Sequence, residues 1–230
     1  MRNNVGNMSE MLPLFPLSTV VFPGMRLPLN IFEERYRRLV RDLKAGPEPR
    51  QFGVVTIRKG RDTGADNIEG LESLYEVGCV AAVRQLSERP DGGFDLQTVG
   101  TERFRLLSLD RSLPYFRGEI ERLPDKPGGR EDPVVARVQA GFREYLNALA
   151  DQGGGVISVA DLPDEPLLLS YVVAASMIID LPDRQGLLAA PDAIARLKAE
   201  RSLLARETAM LRATTSRPAP DFKYEPYSQN

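Results

Sequence analysis

Four prolines, Pro13, Pro16, Pro23 and Pro28, cut the apolar run from Met11 to Ile31 into pieces too short for a helix. Each fixes φ and removes a backbone donor, so this run must be extended and turning, with proline at strand starts or edges. At Glu33 the pattern changes. Phe32, Tyr36, Leu39, Val40 and Leu43 fall at helical spacing, with Arg35, Arg37, Arg38 and Arg41 between them. Proline-punctuated strands that feed directly into one amphipathic helix are an unusual combination.

The chain continues as strands to about Leu123. Phe52–Arg58 is apolar and β-branched, and Tyr75–Leu86 is apolar enough for a central strand. Between them Lys59–Gly70 is polar, glycine-rich and without period, and reads as a mobile surface loop. Asp91-Gly92 with Gly93 predicts a tight hairpin turn. Phe94, Leu96 and Thr98 alternate beyond it, and Phe104–Leu109 and Phe116–Ile120 complete the set. Short strands at close spacing with a single inserted helix predict a small barrel or pseudo-barrel.

Leu123–Pro133 carries three prolines and two glycines and marks the best domain boundary. The period then becomes helical. Asp132 and Pro133 are placed to cap a helix whose face is Val134, Val138, Phe142, Tyr145, Leu146 and Leu149, ending or linking at Gly153-Gly-Gly155. A second helix opens at Asp164-Glu165-Pro166, is apolar all round, and must therefore sit at the centre of the helical half. Pro182 stops it, a short turn around Gln185–Leu188 follows, and Pro191-Asp192 caps a last helix to about Ala213. Ile194, Leu197, Leu204 and Leu211 give that helix a face for packing against its own bundle. Its heptads are too few and too polar for a coiled coil. The organisation expected is a flexible 1–10, a barrel over 11–124, a linker at 125–133, a bundle over 134–213, and a disordered or draped tail at 214–230.

Composition narrows the chemistry. A net charge of −2 over 230 residues argues against bulk attraction to nucleic acid or anionic membrane. No secretory signal is visible at the start, and the longest apolar run is too short to span a bilayer, so a cytoplasmic setting is expected by default. Histidine is absent, which removes the usual general base and the commonest metal ligand. One cysteine, Cys79, excludes internal disulfides and cysteine-cluster zinc sites, and its apolar run predicts a buried, inert thiol. No Gly-Lys-Ser/Thr phosphate loop occurs. None of the five lysines has surroundings that would strip its proton for a serine–lysine dyad. No catalytic, cofactor-binding or metal-ligating residue is assigned, and the chain is expected not to be an enzyme.

The opening resembles the substrate-binding (N-terminal) domain of Lon proteases, in its Pro13-Leu-Phe-Pro-Leu17, Val20-Val-Phe-Pro-Gly24 and Ile31-Phe-Glu-Glu-Arg-Tyr36 pieces. The likeness continues through Tyr75-Glu-Val-Gly-Cys-Val-Ala81, Gly100-Thr-Glu-Arg-Phe-Arg-Leu106, Arg184–Leu188 and Leu203-Leu-Ala-Arg-Glu207, spanning roughly residues 11 to 212. The resemblance implies an α+β fold: an N-terminal PUA-like β pseudo-barrel with one inserted helix, followed by a C-terminal α-helical bundle. It implies engagement of substrate polypeptides, here in a stand-alone form without the ATPase and protease domains.

The leading expectation is therefore a non-enzymatic module that binds unfolded polypeptide or a specific protein partner, possible roles being an adaptor or regulator of proteolysis. Exposed apolar residues and sheet-edge hydrogen bonds would hold the peptide. The residues chosen are Phe15, Phe22, Pro23 and Met25, a proline-stiffened apolar ridge that loses little entropy on binding. The competing account is that both phenylalanines fill the core. The alternative function is RNA binding, with Arg35, Arg38 and Arg41 on phosphates, which the near-neutral charge disfavours. The partner's identity and the oligomeric state are not legible.

Overall fold

A computed structural model describes residues 10–58, 68–126, 133–153 and 161–215. The expected flexible N-terminus, most of the 59–70 loop and of the 125–133 linker, the Asp132 cap, and the tail beyond 215 lie outside the described residues. The strands are β1 (Glu10–Leu17), β2 (Arg26–Ile31), β3 (Gln51–Thr56), β4 (Val77–Glu88), β5 (Phe94–Asp110) and β6 (Arg117–Leu123). Helix α1 (Glu34–Ala45) follows β2, and α2 (Val134–Gly153), α3 (Pro166–Ser176), α4 (Leu181–Ala189) and α5 (Ala193–Thr215) form the second half. The fold is α+β, a mixed six-stranded sheet in the order β2-β5-β4-β3-β1-β6, closed by pairing of β5 with β6.

The prolines do not keep β1 at an edge; it is an interior strand. Its first half, Glu10–Pro13, pairs antiparallel with β6, and its second half, Leu14–Leu17, pairs parallel with β3. The Leu14 amide donates to the Phe116 carbonyl at 2.8 Å, so even-numbered amides face β6 and odd-numbered ones face β3. Pro13 thus faces β3 before that ladder begins, and Pro16 faces β6 after its ladder has ended. Changing partner mid-strand lets an interior strand hold two residues that lack a donor.

Phe22-Pro23-Gly24-Met25 is a β-turn closed by the Met25 amide on the Phe22 carbonyl at 3.0 Å. Proline precedes a glycine at φ +82°, the pattern of a type II turn. Two expected strands, Phe94–Thr98 and Phe104–Leu109, are one long strand, β5. Gly100 blurs the alternation between them, but a side chain there would lie 2.3 Å from the Phe22 carbonyl oxygen. The glycine therefore marks a close backbone approach, and the strand continues through it.

In the second half, the expected face of α2 is buried, as is the body of α3 at Leu169, Val173 and Ala174. Glu165 caps α3, accepting from the Leu167 and Leu168 amides at 3.0 and 2.7 Å. Where a short turn is expected around Gln185, there is a full helix, α4. Pro182 lies in its first turn and Asp180 caps it, accepting from the Asp183 amide at 2.9 Å. Asp192 caps α5 through the Ala195 amide at 2.7 Å.

The two halves share a seam. Val20, Phe22 and Val77 of the barrel pack with Tyr171, Ala174, Leu187 and Leu188 in one buried cluster. Polar groups cross beside it. Arg103 of β5 reaches Asp125 at 2.9 Å and the Leu188 and Ala190 carbonyls at 3.0 and 2.6 Å. The Tyr171 hydroxyl donates to Asp125 at 2.6 Å, and the Gln185 amide donates to the Val77 carbonyl at 2.7 Å. Arg196 of α5 is fully buried, bonding the Leu187 carbonyl and the Ser170 hydroxyl at 2.9 and 2.8 Å.

One turn beyond Arg196 lies Glu200, also buried, with no hydrogen-bond partner for either carboxylate oxygen among the described residues. Burial pushes its carboxyl well above the usual carboxylate range. The native state then keeps a proton that the unfolded chain has released, so this group's contribution falls as pH rises above the unfolded value near 4.5. Glu200→Gln has no such proton to lose. The stability gap between variant and wild type is expected to widen in the variant's favour from pH 5 to pH 8, measured by urea unfolding at each pH. Parallel pH profiles would show that Glu200 ionises freely in the fold.

Candidate functional site

Phe22 is fully buried in the seam, with the Arg184 guanidinium 5.4 Å from its ring centre. Pro23 occupies the turn and is half-buried, and Met25 is half-buried against both the barrel core and the seam. The expected apolar ridge is therefore not a surface feature. The turn folds its aromatic side chain inward, because α3 and α4 supply an apolar partner that barrel patterning alone does not reveal. Phe15 differs. It stacks on Tyr36 of α1 with ring centres 4.1 Å apart and lies 5.8 Å from Phe52, yet it also lines an open pocket.

That pocket has a volume of about 160 Å³ and lies between the second half of β1 and the end of β2. Phe15 and Leu17 line one wall, Leu29 and Ile31 the other, with Tyr36 at the base and Phe32 at the rim. Phe32 is 59% exposed. The helical spacing places it on the buried face of α1, but the helix starts at Glu34 with Glu33 at its N-cap. Phe32 stands just outside the helix and points away from the core. The signal that could have found it is Glu33-Glu34, the acidic helix start, which puts the preceding residue beyond the first turn.

Strands flank the pocket, but neither offers a continuous free edge. The Gly100 amide donates to the Met25 carbonyl at 2.9 Å, which sets the odd-numbered residues of β2 toward β5 and turns Arg26, Pro28 and Asn30 to the open side. On β1 the position facing this gap is Pro16. Proline at the outward position of both edges removes the donors that strand addition needs. The sheet-edge hydrogen bonding expected from the sequence therefore has no continuous row of donors beside this pocket.

The arginines of α1 are engaged. Arg35 pairs with Glu33 at 2.8 Å and lies over the Tyr36 ring, Arg38 pairs with Asp42 at 2.9 Å, and Arg41 pairs with Glu34 at 2.8 Å. This is a helix face with local ion pairs, each of modest energetic weight, and the comparisons below lend RNA binding no support. Cys79 is buried and its thiol is pushed up to about 12 by burial, so it carries no thiolate at neutral pH. Among the described residues, no helix is long and apolar enough to cross a membrane.

The fold is that of a Lon-type N-terminal domain. A Lon N-terminal domain protein from Xanthomonas campestris superposes with a TM-score of 0.61 at 26% identity, covering 85% of this chain and 98% of that one. The N-terminal domain of Mycobacterium avium complex Lon protease gives 0.62 over 87% of this chain and 98% of its own, at 17% identity. The chain belongs to the ATP-dependent protease La (LON) substrate-binding domain family, whose family model matches residues 11–206. Lon protease 2 of Myxococcus xanthus is 26% identical over 213 residues, and Lon protease of Escherichia coli K12 is 27% identical over 203. These matches cover 91% and 87% of this chain but 25% of each relative, so the chain spans about a quarter of the curated relatives' length.

Proposed function

We propose that this chain is a non-catalytic polypeptide-binding module that takes one apolar side chain of an unfolded segment into the cup beneath Phe32, as a recognition element that could act as an adaptor or regulator of proteolysis. The observation that carries this reading is the open apolar cup itself, about 160 Å³, walled by Phe15, Leu17, Leu29 and Ile31. A cavity of roughly 150 Å³ in an apolar core accepts benzene, so this volume suits a single aromatic or branched side chain. Phe32 on the rim gives the guest a further apolar surface at small entropic cost. Membership of a substrate-binding domain family supports a polypeptide as the guest.

The test is fluorescence anisotropy with reduced, carboxymethylated lactalbumin, a permanently unfolded chain. Phe32→Ser is expected to weaken binding about tenfold, the equivalent of losing one buried apolar side chain, without changing stability. Unaltered affinity in a folded Phe32→Ser variant would move the binding surface elsewhere.

A further inference from the structure

The outer face of the sheet, away from the cup, carries a second groove of about 480 Å³ lined by Arg26, Arg84, Gln85, Gln97, Thr98 and Val99. The arginines there stand apart from the rest of the barrel. Among its described residues, Arg35, Arg37, Arg38, Arg41, Arg50, Arg89, Arg103, Arg105, Arg117 and Arg122 each have a carboxylate partner. Arg58 and Arg111 lie over aromatic rings. Arg26 and Arg84 have neither kind of partner within the described residues, and no carboxylate lines their groove.

Backbone geometry brings the two together. The β4–β5 ladder steps from Val83–Thr98 to Gln85–Gln97, so Arg84 is the extra residue of a β-bulge and is thrown to the exposed surface. In the β5–β6 ladder the extra residue between Leu106 and Ser108, Leu107, is exposed in the same way. Arg26 pairs with Val99 across β5 from Arg84. One strand separates them, which sets their backbones about 10 Å apart.

We propose that Arg26 and Arg84 form a binding site for the carboxylates of an acidic polypeptide segment. Each guanidinium presents a planar fork matched to a carboxylate, and the Gln85 and Gln97 amides add donors between them. Carboxylates two residues apart in an extended chain are about 7 Å apart, and two long arginine side chains rooted about 10 Å apart reach that spacing by leaning toward each other. A lone phosphate would occupy a small part of a groove of about 480 Å³. The site is distinct from the apolar cup and takes the opposite chemistry.

The probe is a fluorescein-labelled peptide of alternating glutamate and serine, free of apolar residues so that the cup plays no part. The wild-type chain is expected to bind it with an affinity that falls as salt rises. Arg26→Gln and Arg84→Gln are each expected to weaken binding about tenfold, as for loss of a charge-assisted hydrogen bond. Arg41→Gln, whose guanidinium is held by Glu34, should leave binding unchanged. Both groove residues are exposed, so circular dichroism should be unaltered. Equal affinity in the Arg26→Gln/Arg84→Gln double variant would overturn the site. Binding of inorganic pyrophosphate without binding of the peptide would overturn the assignment to polypeptide.

Discussion

Arg103→Ala is expected to lower the unfolding free energy by about 3–5 kcal/mol, the usual result of removing one partner from a buried charged pair. Arg103 is 3% exposed, so solvent does little to screen its contacts. It bonds Asp125 and the Leu188 and Ala190 carbonyls at the C-terminal end of α4, where the helix dipole favours a cation. Truncation leaves two carbonyls and a carboxylate without that donor, and among the described residues Asp125 keeps the weaker Tyr171 hydroxyl alone. Arg103→Lys should recover little, because an ammonium is a point charge that does not span three acceptors. Urea unfolding of both variants measures the effect. A loss below about 1 kcal/mol would show that the seam relaxes around the vacancy or admits water.

Phe22→Ala should cost a similar amount, about 3–5 kcal/mol, through lost burial and the cavity left in a fully packed site. Phe22 lies where barrel and helices share one cluster, so collapse from either side is resisted by the other. The contrast with Phe32 is the sharper result. Phe22→Ala should destabilise both halves in a single transition, whereas Phe32→Ser should leave the unfolding midpoint in place and change only the affinity for unfolded chains. A Phe22→Ala variant of wild-type stability would mean that the seam does not hold the halves together.

Much of the fold was legible because it rests on local rules. Proline positions, the Asp91-Gly92 turn, the α1 spacing and the faces of α2 and α5 depend on backbone dihedrals and on period. The site was less legible. Of the four residues chosen from the N-terminal run, only Phe15 touches the cup, and Phe32, its most exposed aromatic, falls by spacing on the apolar face of α1. Helix spacing does not say on which residue a helix begins, and an error of two positions turned a rim residue into a core one. Nothing in the sequence singles out Arg26 and Arg84, since a β-bulge leaves no mark in a list of residue types.

Local chemistry, then, determined the elements and their order: proline removes donors, glycine permits a turn, and apolar period defines a face. Only the folded chain decided which faces meet. It let β1 change partners so that two prolines fit inside a sheet, buried Phe22 and Arg103 between the halves and Arg196 and Glu200 within the helical half, and left Phe32 in solvent. Burial is a property of what packs against a residue, and those neighbours come from segments far away along the chain.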